Sequence, residues 1–303
     1  MSWRKCSYTK KQIVDAGKKI SYPGLSDEER KEYLHIIDEW RAAHAFPMNT
    51  FAINLKHQVQ DIKGAIVVQR LKRLKTILHK LERFPNMSLY RMQDLGGCRV
   101  ILPSIESVYE IKKKLKESRI RHILHNEKDY IAVPKPDTGY RGIHIIYRYR
   151  SEKRTDFNGL QIEIQIRTKL QHLWATAVET IGVFTQNGLK FNQGSESWLR
   201  FFKLVSALFA IEEKSAIVEG VPDDPIQIGL ELVELMGELN VVDRLRTIKL
   251  ASKQLGRYAK SKTPGYFLLI LDLQNSDLKV EKFASIEPAA ALYDKLEVEN
   301  TKN

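Results

Sequence analysis

The stretch that decides the fold is Gln161-Ile162-Glu163-Ile164-Gln165-Ile166-Arg167. Its isoleucines alternate with polar residues, which is the period-two pattern of a β-strand with one apolar face and one polar face. The next residues, 168–181, repeat apolar side chains at helical spacing. A carboxylate, an amide and a guanidinium on one side of a strand suit a charged ligand. An ordinary edge strand before a core helix gives the same pattern, so residues elsewhere must decide between the two interpretations.

Composition restricts the class of protein. The chain has 303 residues, a hydrophobic fraction of 43%, a charged fraction of 28% and a formal net charge of +12. These values indicate a soluble globular protein whose partners are polyanions such as nucleotides, RNA or DNA. No apolar run approaches the roughly 18 residues of a membrane helix, and no secretory signal is visible. Two cysteines, Cys6 and Cys98, fit a reducing compartment, so we expect a cytosolic protein with no disulfide.

Charge is unevenly distributed along the chain. Residues 56–83 contain eight Lys or Arg against two acids, whereas residues 212–238 contain eight Asp or Glu against one Lys. A merely basic surface would not separate the two signs in this way. As a hypothesis, the acidic block or a C-terminal element competes with an RNA for the basic region.

Hydrophobic patterns predict helices through residues 8–92, with a cap at Ser26 and a break at Pro47. One helix in that region begins near Gln69, and its apolar stripe includes Leu71 and Leu74. We predict a further helix over 105–118 and a helical region over 195–260.

Alternating and apolar runs predict the strands. They are expected over 96–102, 120–126, 130–133 and 143–149, with a loop over 134–142 and a turn at Asn158-Gly159 before the opening stretch. A hairpin is predicted over 266–283, after a boundary at 263–265, and a short helix begins at Pro288. The fold class is therefore α/β (α+β), a mixed β-sheet flanked by helices, with a C-terminal helical region and a small hairpin.

Two carboxylates are candidates for a metal site. Asp94 and Glu163 are expected on separate strands of one sheet, with Gln165 beside the second. A pair of carboxylates completed by phosphate oxygens is a usual environment for Mg²⁺. Each acid taken singly could equally be a surface residue.

Cations upstream of these acids fit a triphosphate, whose transfer needs charge neutralisation more than covalent help. They are spaced along one segment together with a hydroxyl: Arg70, Lys72, Thr76, Lys80 and Arg83. No P-loop, no H-E-x-x-H and no His-Asp dipeptide occurs, so a P-loop NTPase and the simplest metal hydrolases are excluded.

A loop rich in Pro and Gly offers a second ligand site. Tyr140 is flanked by glycines and could stack on a base, while Lys135 and Arg141 could contact phosphates. A lone histidine such as His144, just inside the next strand, is more often structural.

Four ordered motifs resemble the synthetase domain of the RelA/SpoT alarmone synthetase superfamily, over roughly residues 45–185. They are Arg70-x-Lys72-x₃-Thr76-x₃-Lys80-x₂-Arg83, Asp94-Leu-Gly-Gly-Cys-Arg99, the segment 128–144 and the segment 162–168. The resemblance implies a nucleotidyltransferase-like fold that uses Mg²⁺ to transfer the β,γ-pyrophosphate of ATP to a ribose 3′-hydroxyl. Thr76 stands where the family usually has Ser and keeps the hydroxyl.

The resemblance also implies roles for individual residues. Arg70 and Arg99 would sandwich the adenine. The ATP phosphates would be held by Lys72, Thr76, Lys80 and Arg83. Asp94 and Glu163 would bind Mg²⁺, and Glu163 or Gln165 would orient or deprotonate the acceptor hydroxyl. Tyr140 would stack on the acceptor base, with Lys135, Arg141 and His144 around its phosphates.

Outside the core, the segments 170–179 and 197–202 and the terminal hairpin resemble the fused toxin–antitoxin synthetases of the CapRel type. That likeness implies pyrophosphate transfer to the tRNA 3′ end, and control by a finger-like C-terminal element until a phage protein, such as a capsid protein, releases it. It divides the chain into a synthetase domain at 1–190, a helical connector at 191–262 and a regulatory element at 263–303. The alternatives are a small alarmone synthetase acting on GDP or GTP, and an inactive RNA-binding or sensor module. Retention of Asp94, Glu163 and the basic segment argues against the last.

Overall fold

A computed structural model describes residues 3–118, 121–184, 196–246, 249, 265–272, 277–285, 288–289, 292 and 296. The chain forms two compact units, Met1–Ile228 and Gly229–Asn303. No helix among the described residues has both the length and the apolar character needed to cross a bilayer.

The first unit is a five-stranded sheet with helices before, between and after its strands. Its helices are α1 Lys10–Lys19, α2 Asp27–Ala43, α3 Ala45–Gln58, α4 Leu74–Arg83, α5 Ile105–Glu117, α6 Lys169–Phe184 and α7 Glu196–Glu212. Its strands are β1 Ile66–Leu71, β2 Gly96–Leu102, β3 Ile123–Asp129, β4 Ile143–Arg148 and β5 Gln161–Thr168. Short 3₁₀ turns cover Leu89–Arg91 and Thr155–Phe157. The fold class is mixed α/β, as the sequence predicts.

The strand order is β1-β2-β5-β4-β3. Strands β2 and β5 run parallel, whereas the other neighbouring pairs are antiparallel. The opening stretch therefore forms a central strand with a partner on each side, and the edge-strand interpretation is wrong.

The sheet has two chemically different faces. Residues on the apolar face are buried to 2% exposure or less, among them Cys98, Val100, Ile162, Ile164, Ile166, Ile145 and Tyr147. They pack in one core with side chains of α1–α5. Burying an aliphatic side chain of this size contributes about 1.5–3 kcal/mol, so the apolar face fixes the strand register.

Helix starts follow the local signals only in part. At α2, Ser26 Oγ accepts from Glu29 N at 3.2 Å and the Glu29 carboxylate accepts from Ser26 N at 2.9 Å, which confirms the predicted cap. The predicted break at Pro47 is wrong, because α3 begins at Ala45 and includes the proline. The first turn of a helix needs no proline N–H, so Pro47 is tolerated there.

The prediction of a helix from Gln69 is wrong for residues 69–71. Residues 66–71 form β1, which pairs with β2 so that Ile66 lies opposite Ile101 and Leu71 lies opposite Gly96. Helix α4 begins only at Leu74. Leu71 fits a helical stripe and a strand equally well, so pairing with β2 decides.

The expected strand over 130–133 is a turn. The Asp129 carboxylate accepts from the backbone N–H groups of Ile131 and Ala132 at 3.1 and 3.0 Å, which turns the chain at the end of β3. The predicted loop over 134–142 and the helix over 105–118 agree with the structure to within a residue.

The region 195–260 includes two long helices with a break between them, and residues 241–246 are also helical. Helix α7 ends at Glu212 and α8 spans Pro225–Glu238, while Lys214 has a positive φ of 50°. Much of the remainder lies outside the described residues.

The second unit contains the predicted hairpin. Strand β6 Tyr266–Asp272 pairs antiparallel with β7 Asp277–Phe283. Residues 263–264 of the expected boundary and most of the helix expected from Pro288 lie outside the described residues. The three-part division at 190 and 262 stays a prediction.

Close packing of α1 provides a test of the first unit. A Cβ added at Gly17 would lie 2.6 Å from Leu89 Cβ, and Leu89 is fully buried. Gly17→Ala should therefore lower the free energy of unfolding by about 1–3 kcal/mol in urea denaturation. Lys11→Ala, exposed on the same helix, should change it by less than about 0.5 kcal/mol. An unchanged value for Gly17→Ala would show that α1 does not approach Leu89 this closely.

Candidate active site

The polar face of the sheet gathers most of the predicted site residues. In β5, Glu163, Gln165 and Arg167 alternate with the buried isoleucines. Gly97 pairs with Glu163, Arg99 with Gln165 and His144 with Gln165, so all of these residues share one face. Arg70 pairs with Gly97 from the other side. Gly97 therefore puts no side chain between Arg70 and Glu163.

Asp94 lies in the turn just before β2, not on the strand where it was expected. Two lysines hold its carboxylate: Lys72 Nζ at 2.6 Å from Oδ2 and Lys80 Nζ at 3.2 Å from Oδ1. Lys72 follows β1, and its backbone N–H donates to Leu95 O at 2.8 Å, which fixes it beside the turn. Burial raises the pKa of Asp94, but the charges of Lys72 and Lys80 outweigh burial and leave that pKa below its usual value. Asp94 is therefore ionised.

Glu163 is held by two neighbours on the same face. His144 Nδ1 lies 2.8 Å from its Oε1, and Gln165 Nε2 donates to its Oε2 at 2.8 Å. Burial and repulsion by Asp94 raise the pKa of Glu163, yet interaction with His144 and a hydrogen bond from Gln165 bring that pKa below its usual value. Both carboxylates are thus ionised and close enough to repel each other.

A closed ring of hydrogen bonds continues from Glu163. Gln165 Oε1 accepts from Arg167 Nη2 at 2.8 Å, and Arg167 Nη2 also donates to the Tyr140 hydroxyl at 2.7 Å. The Tyr140 hydroxyl lies 2.5 Å from His144 Nε2, which closes the ring. Because an ionised carboxylate only accepts, His144 Nδ1 carries the proton shared with Glu163. The histidine is a member of the site and not an isolated structural residue.

Gly142 makes this ring possible. Its φ is +151°, and a Cβ there would lie 3.1 Å from both the Tyr140 hydroxyl oxygen and Arg167 Cγ. A larger residue would strain the backbone and crowd the two side chains.

Arg70 and Arg99 lie on the β1–β2 side of the same face. Arg99 Nε donates to Gln165 Oε1 at 3.3 Å. Burial lowers the pKa of Arg99, with further lowering from the nearby Arg167 and Arg70 charges. The two arginines predicted to sandwich an adenine are therefore close to each other, and Arg99 contacts Gln165, the neighbour of Glu163.

The remaining residues predicted to bind ATP lie on α4. Thr76, Lys80 and Arg83 follow one another at helical spacing on one side of the helix. Lys80 reaches Asp94, whereas the Arg83 guanidinium lies 5.3 Å from the Phe84 ring. The cationic segment is thus divided between a strand, a turn and a helix, and not carried by one helix as expected.

Lys135 lies in the loop over 134–142, where the sequence placed it. Its Nζ is 4.8 Å from the Tyr130 ring and 5.5 Å from the Tyr140 ring. These two rings meet edge to face at 5.7 Å. Cation–π contact holds the exposed ammonium beside the loop aromatics.

Arg141 is not brought to this cluster. Its guanidinium is buried, 2.8 Å from Glu213 Oε2, and donates to Ser215 Oγ at 2.8 Å. Burial lowers the pKa of Arg141, opposed by the Glu213 charge. The expectation that Arg141 contacts acceptor phosphates is corrected: it anchors the loop to the end of α7 because a buried cation needs a paired anion.

Further contributors lie outside the residues to which the sequence gives a role. The strand alternation indicates Arg167, but the resemblance implies no role for it. Glu213 accepts from Thr168 Oγ1 and, at 3.1 Å, from Gln171 Nε2 as well as pairing with Arg141. Ser206 of α7 also donates to Gly139 O at 2.5 Å. No local pattern distinguishes Glu213 from the other acids of the 212–238 block, so only the fold could identify it.

The carboxylate oxygens of Asp94 and Glu163 fit a magnesium ion only if a substrate supplies further ligands. In the described part of the chain no three His, Cys, Asp or Glu residues gather to hold a metal. Asp94 and Glu163 supply ionised oxygens, the ligand type that Mg²⁺ prefers, and phosphate oxygens would complete the shell. The residues present therefore fit the ion.

Comparison with known proteins places this site in a family. Residues 69–183 match the region found in RelA / SpoT proteins. The chain is 31% identical over 156 residues to the GTP pyrophosphokinase YjbM of Bacillus subtilis (strain 168), covering 50% of this chain and 72% of that protein. The chain belongs to the RelA/SpoT family. It is accordingly a pyrophosphokinase of RelA/SpoT type.

Other relatives match less of their own length or only at the level of structure. The GTP pyrophosphokinase YwaC of the same organism is 31% identical over 112 residues, 35% of this chain and 52% of that protein. The small alarmone synthetase 1 from Bacillus subtilis superposes with a TM-score of 0.48 and 20% identity, covering 67% of this chain and 98% of that chain. In this RelA/SpoT protein, all the predicted site residues lie within residues 69–183, the region that matches the family.

The buried pair at the end of α7 gives a test of the loop anchor. Side-chain exposure is 2% for Arg141 and 8% for Glu213. Glu213→Gln leaves the guanidinium without its counter-charge and should lower the free energy of unfolding by about 3 kcal/mol in urea denaturation. Amide hydrogen exchange over 134–142 should also rise.

Glu212→Gln is the matched control, because Glu212 is the exposed neighbouring acid. It should change the free energy of unfolding by less than about 0.5 kcal/mol. Equal effects of the two substitutions would contradict a specific role of Glu213.

Proposed function

We propose that this protein transfers the β,γ-pyrophosphate of ATP to the 3′-hydroxyl of a ribose, most specifically that of the tRNA 3′ end. One observation carries the proposal: two ionised carboxylates, Asp94 and Glu163, share a site with Lys72 and Lys80 on one side and His144 and Gln165 on the other. Pyrophosphoryl transfer requires positive charge at the phosphates and a base at the hydroxyl.

On the donor side, we assign the adenine to Arg70 and Arg99, whose planar guanidinium groups stack on bases. Lys72, Lys80, Thr76 and Arg83 bind the phosphates. The two lysines contact Asp94 in the structure. Phosphate oxygens compete for the same ammonium groups, so ATP binding releases Asp94 oxygens.

At the reacting atoms, Glu163 takes the proton of the 3′-hydroxyl. The freed oxygen attacks the β-phosphorus of ATP, the bond from that phosphorus to the α-bridging oxygen breaks, and AMP leaves. Gln165 carries an amide, which is not a base, so it orients Glu163 and does not replace it. Mg²⁺ bound through Asp94 and Glu163 would neutralise charge on the phosphate oxygens.

On the acceptor side, Tyr140 stacks on the base and Lys135 contacts a phosphate, while His144 holds Glu163 in place. The net charge of +12 supports a polyanionic acceptor such as tRNA. GDP or GTP is the second candidate acceptor, and the names of YjbM and YwaC, both GTP pyrophosphokinases, favour it.

A transfer assay separates the two acceptors. Incubation of the purified protein with γ-labelled ATP and either GDP or bulk tRNA should label tRNA, and label on the nucleotide alone would assign the protein to alarmone synthesis. Label on neither would contradict the proposed reaction.

Asp94→Asn tests the donor side within the same assay. It removes the charge that faces Lys72 and Lys80 and should lower transfer to either acceptor by about 100-fold or more. Asp61→Asn, an exposed acid outside the site, should leave the rate unchanged. Full activity of Asp94→Asn would show that the assignment of Asp94 is wrong.

The proposal extends to control of a toxic activity by the C-terminal element, in phage defence and in the cytoplasm. The acidic block at 212–238 and the hairpin β6–β7 support it, because either could compete with an RNA for basic residues. A phage protein is the proposed trigger.

Deletion of residues 262–303 tests that control. The shortened chain should be more toxic than the full chain when expressed at the same level, measured as colony formation. The same deletion with Asp94→Asn should restore growth if toxicity comes from transfer. Unchanged growth of the shortened chain would contradict the regulatory role.

A further inference from the structure

A cavity of about 470 Å³ lies away from the carboxylate cluster. Helix α1, the segment after α4 and the adjoining ends of β4 and β5 enclose it. Its lining includes Lys10, Lys18, Tyr90, Arg91, Arg148 and Gln161. None of these residues is among those assigned to ATP or to the acceptor. The cavity is therefore available for a separate ligand.

The charge of this cavity is uncompensated. Lys10, Lys18, Arg91 and Arg148 are all exposed cations, and no Asp or Glu in the described part of the chain lines the cavity. None of the four forms an ion pair with a described carboxylate, although Arg148 Nη2 lies 3.5 Å from His125 Nε2. Four like charges around one space repel one another, so an anion there stabilises all four.

An aromatic surface lies beside these charges. The Tyr90 ring stacks on Trp40 at 5.1 Å with an interplanar angle of 15°, and Lys10 Nζ lies 5.1 Å from the Tyr90 ring. Tyr90 remains 36% exposed. A ring that is held by Trp40, lies beside an ammonium group and keeps about a third of its surface exposed is suited to stacking on a base.

Two buried polar atoms near this surface have no partner. Trp40 and Gln161 line an adjoining cavity of about 240 Å³, together with Tyr90 and Arg148. Trp40 Nε1, in a side chain only 8% exposed, and Gln161 Oε1 make no hydrogen bond with any described residue. A buried donor without a partner is costly, and a ligand oxygen would satisfy it.

The strand register connects this cavity to the reacting centre. Arg148 pairs with Gln161, and the next pair along the strands on the same face is Ile146 with Glu163. Two residues along a strand span about 7 Å, roughly the separation of adjacent nucleotides in a single strand. Gln161, which lines the cavity, thus lies two residues before Glu163 on β5.

We propose that this cavity binds a second nucleotide unit, with its phosphate on Lys10, Lys18, Arg91 and Arg148 and its base on Tyr90. The bound unit is either the nucleotide next to the 3′ end of an RNA acceptor or a free nucleotide. The RNA origin rests on the proposed function, whereas the proposal that the cavity binds a nucleotide does not.

Fluorescence anisotropy with a 5′-fluorescein-labelled RNA tetranucleotide and the full-length chain tests the proposal. The double variant Lys10→Glu/Lys18→Glu should weaken binding at least tenfold. The slope of log affinity against log salt should also become shallower by about 1.4, the expectation for two lost contacts to a single strand.

Lys11→Glu/Lys19→Glu is the matched control, with the same charge change at exposed positions of α1 that do not line the cavity. It should weaken binding less than threefold. Equal weakening by the two double variants would overturn the proposal, because it would show a general effect of net charge.

Tyr90→Leu tests the base contact without a change in charge. It should weaken tetranucleotide binding about fivefold or more and leave the salt slope unchanged. Unchanged affinity with an unchanged circular dichroism spectrum would overturn the assignment of the base to Tyr90.

Competition distinguishes the two sources. Displacement of the labelled RNA by unlabelled tetranucleotide but not by millimolar GTP supports an RNA strand, and displacement by both supports a free nucleotide. Transfer of label from ATP to an acceptor is measured in parallel with the same variants. Normal transfer with unaltered RNA binding in Lys10→Glu/Lys18→Glu would overturn this inference and leave the proposed function intact.

Discussion

The structure depends on the burial of charge along one face of β5. The other face is a run of isoleucines with no exposure to solvent, so the register of the strand cannot shift by one residue without burying Glu163, Gln165 and Arg167 in the core. Once the register is fixed, these three side chains lie on the polar face of the sheet and need hydrogen-bond partners there. The ring through Tyr140 and His144 pairs the Glu163 carboxylate, the Gln165 amide and the Arg167 Nη2 atom with one another, while Arg167 Nε has no partner among the described residues.

Charge balance then organises the rest of the site. Five cations, Arg70, Lys72, Lys80, Arg99 and Arg167, face two carboxylates. Lys72 and Lys80 keep Asp94 ionised despite burial, whereas His144 and Gln165 keep Glu163 ionised, as the lowered pKa values of the two acids indicate. The surplus of positive charge on this face attracts anions. It also leaves the site unsatisfied without an anion. A triphosphate meets that requirement, and an ionised Glu163 is the form able to accept a proton.

The loop over residues 134–142 is held in a different way. Residues 134–142 carry Tyr140 into the ring, while the neighbouring Arg141 points the opposite way to Glu213 beyond α7. Ser206 holds the same loop from the middle of that helix. Adjacent residues thus connect the reacting face to α7, so a displacement of α7 would alter the position of Tyr140. This link lies within the first unit and couples the surroundings of Glu213 to the hydrogen-bonded ring around Tyr140.

The sequence by itself determined the two faces of β5, the acids Asp94 and Glu163, and the spacing of the cations, because these depend on local periodicity and residue chemistry. It also determined the hairpin β6–β7, whose strands are adjacent in the chain. Only the tertiary structure decided that residues 66–71 form a strand, because Leu71 suits either period and pairing with β2 selects one. Only the tertiary structure turned Arg141 away from the site and placed Glu213 next to Arg141. A buried guanidinium pairs with whichever carboxylate the fold places within reach, however distant that carboxylate is in sequence.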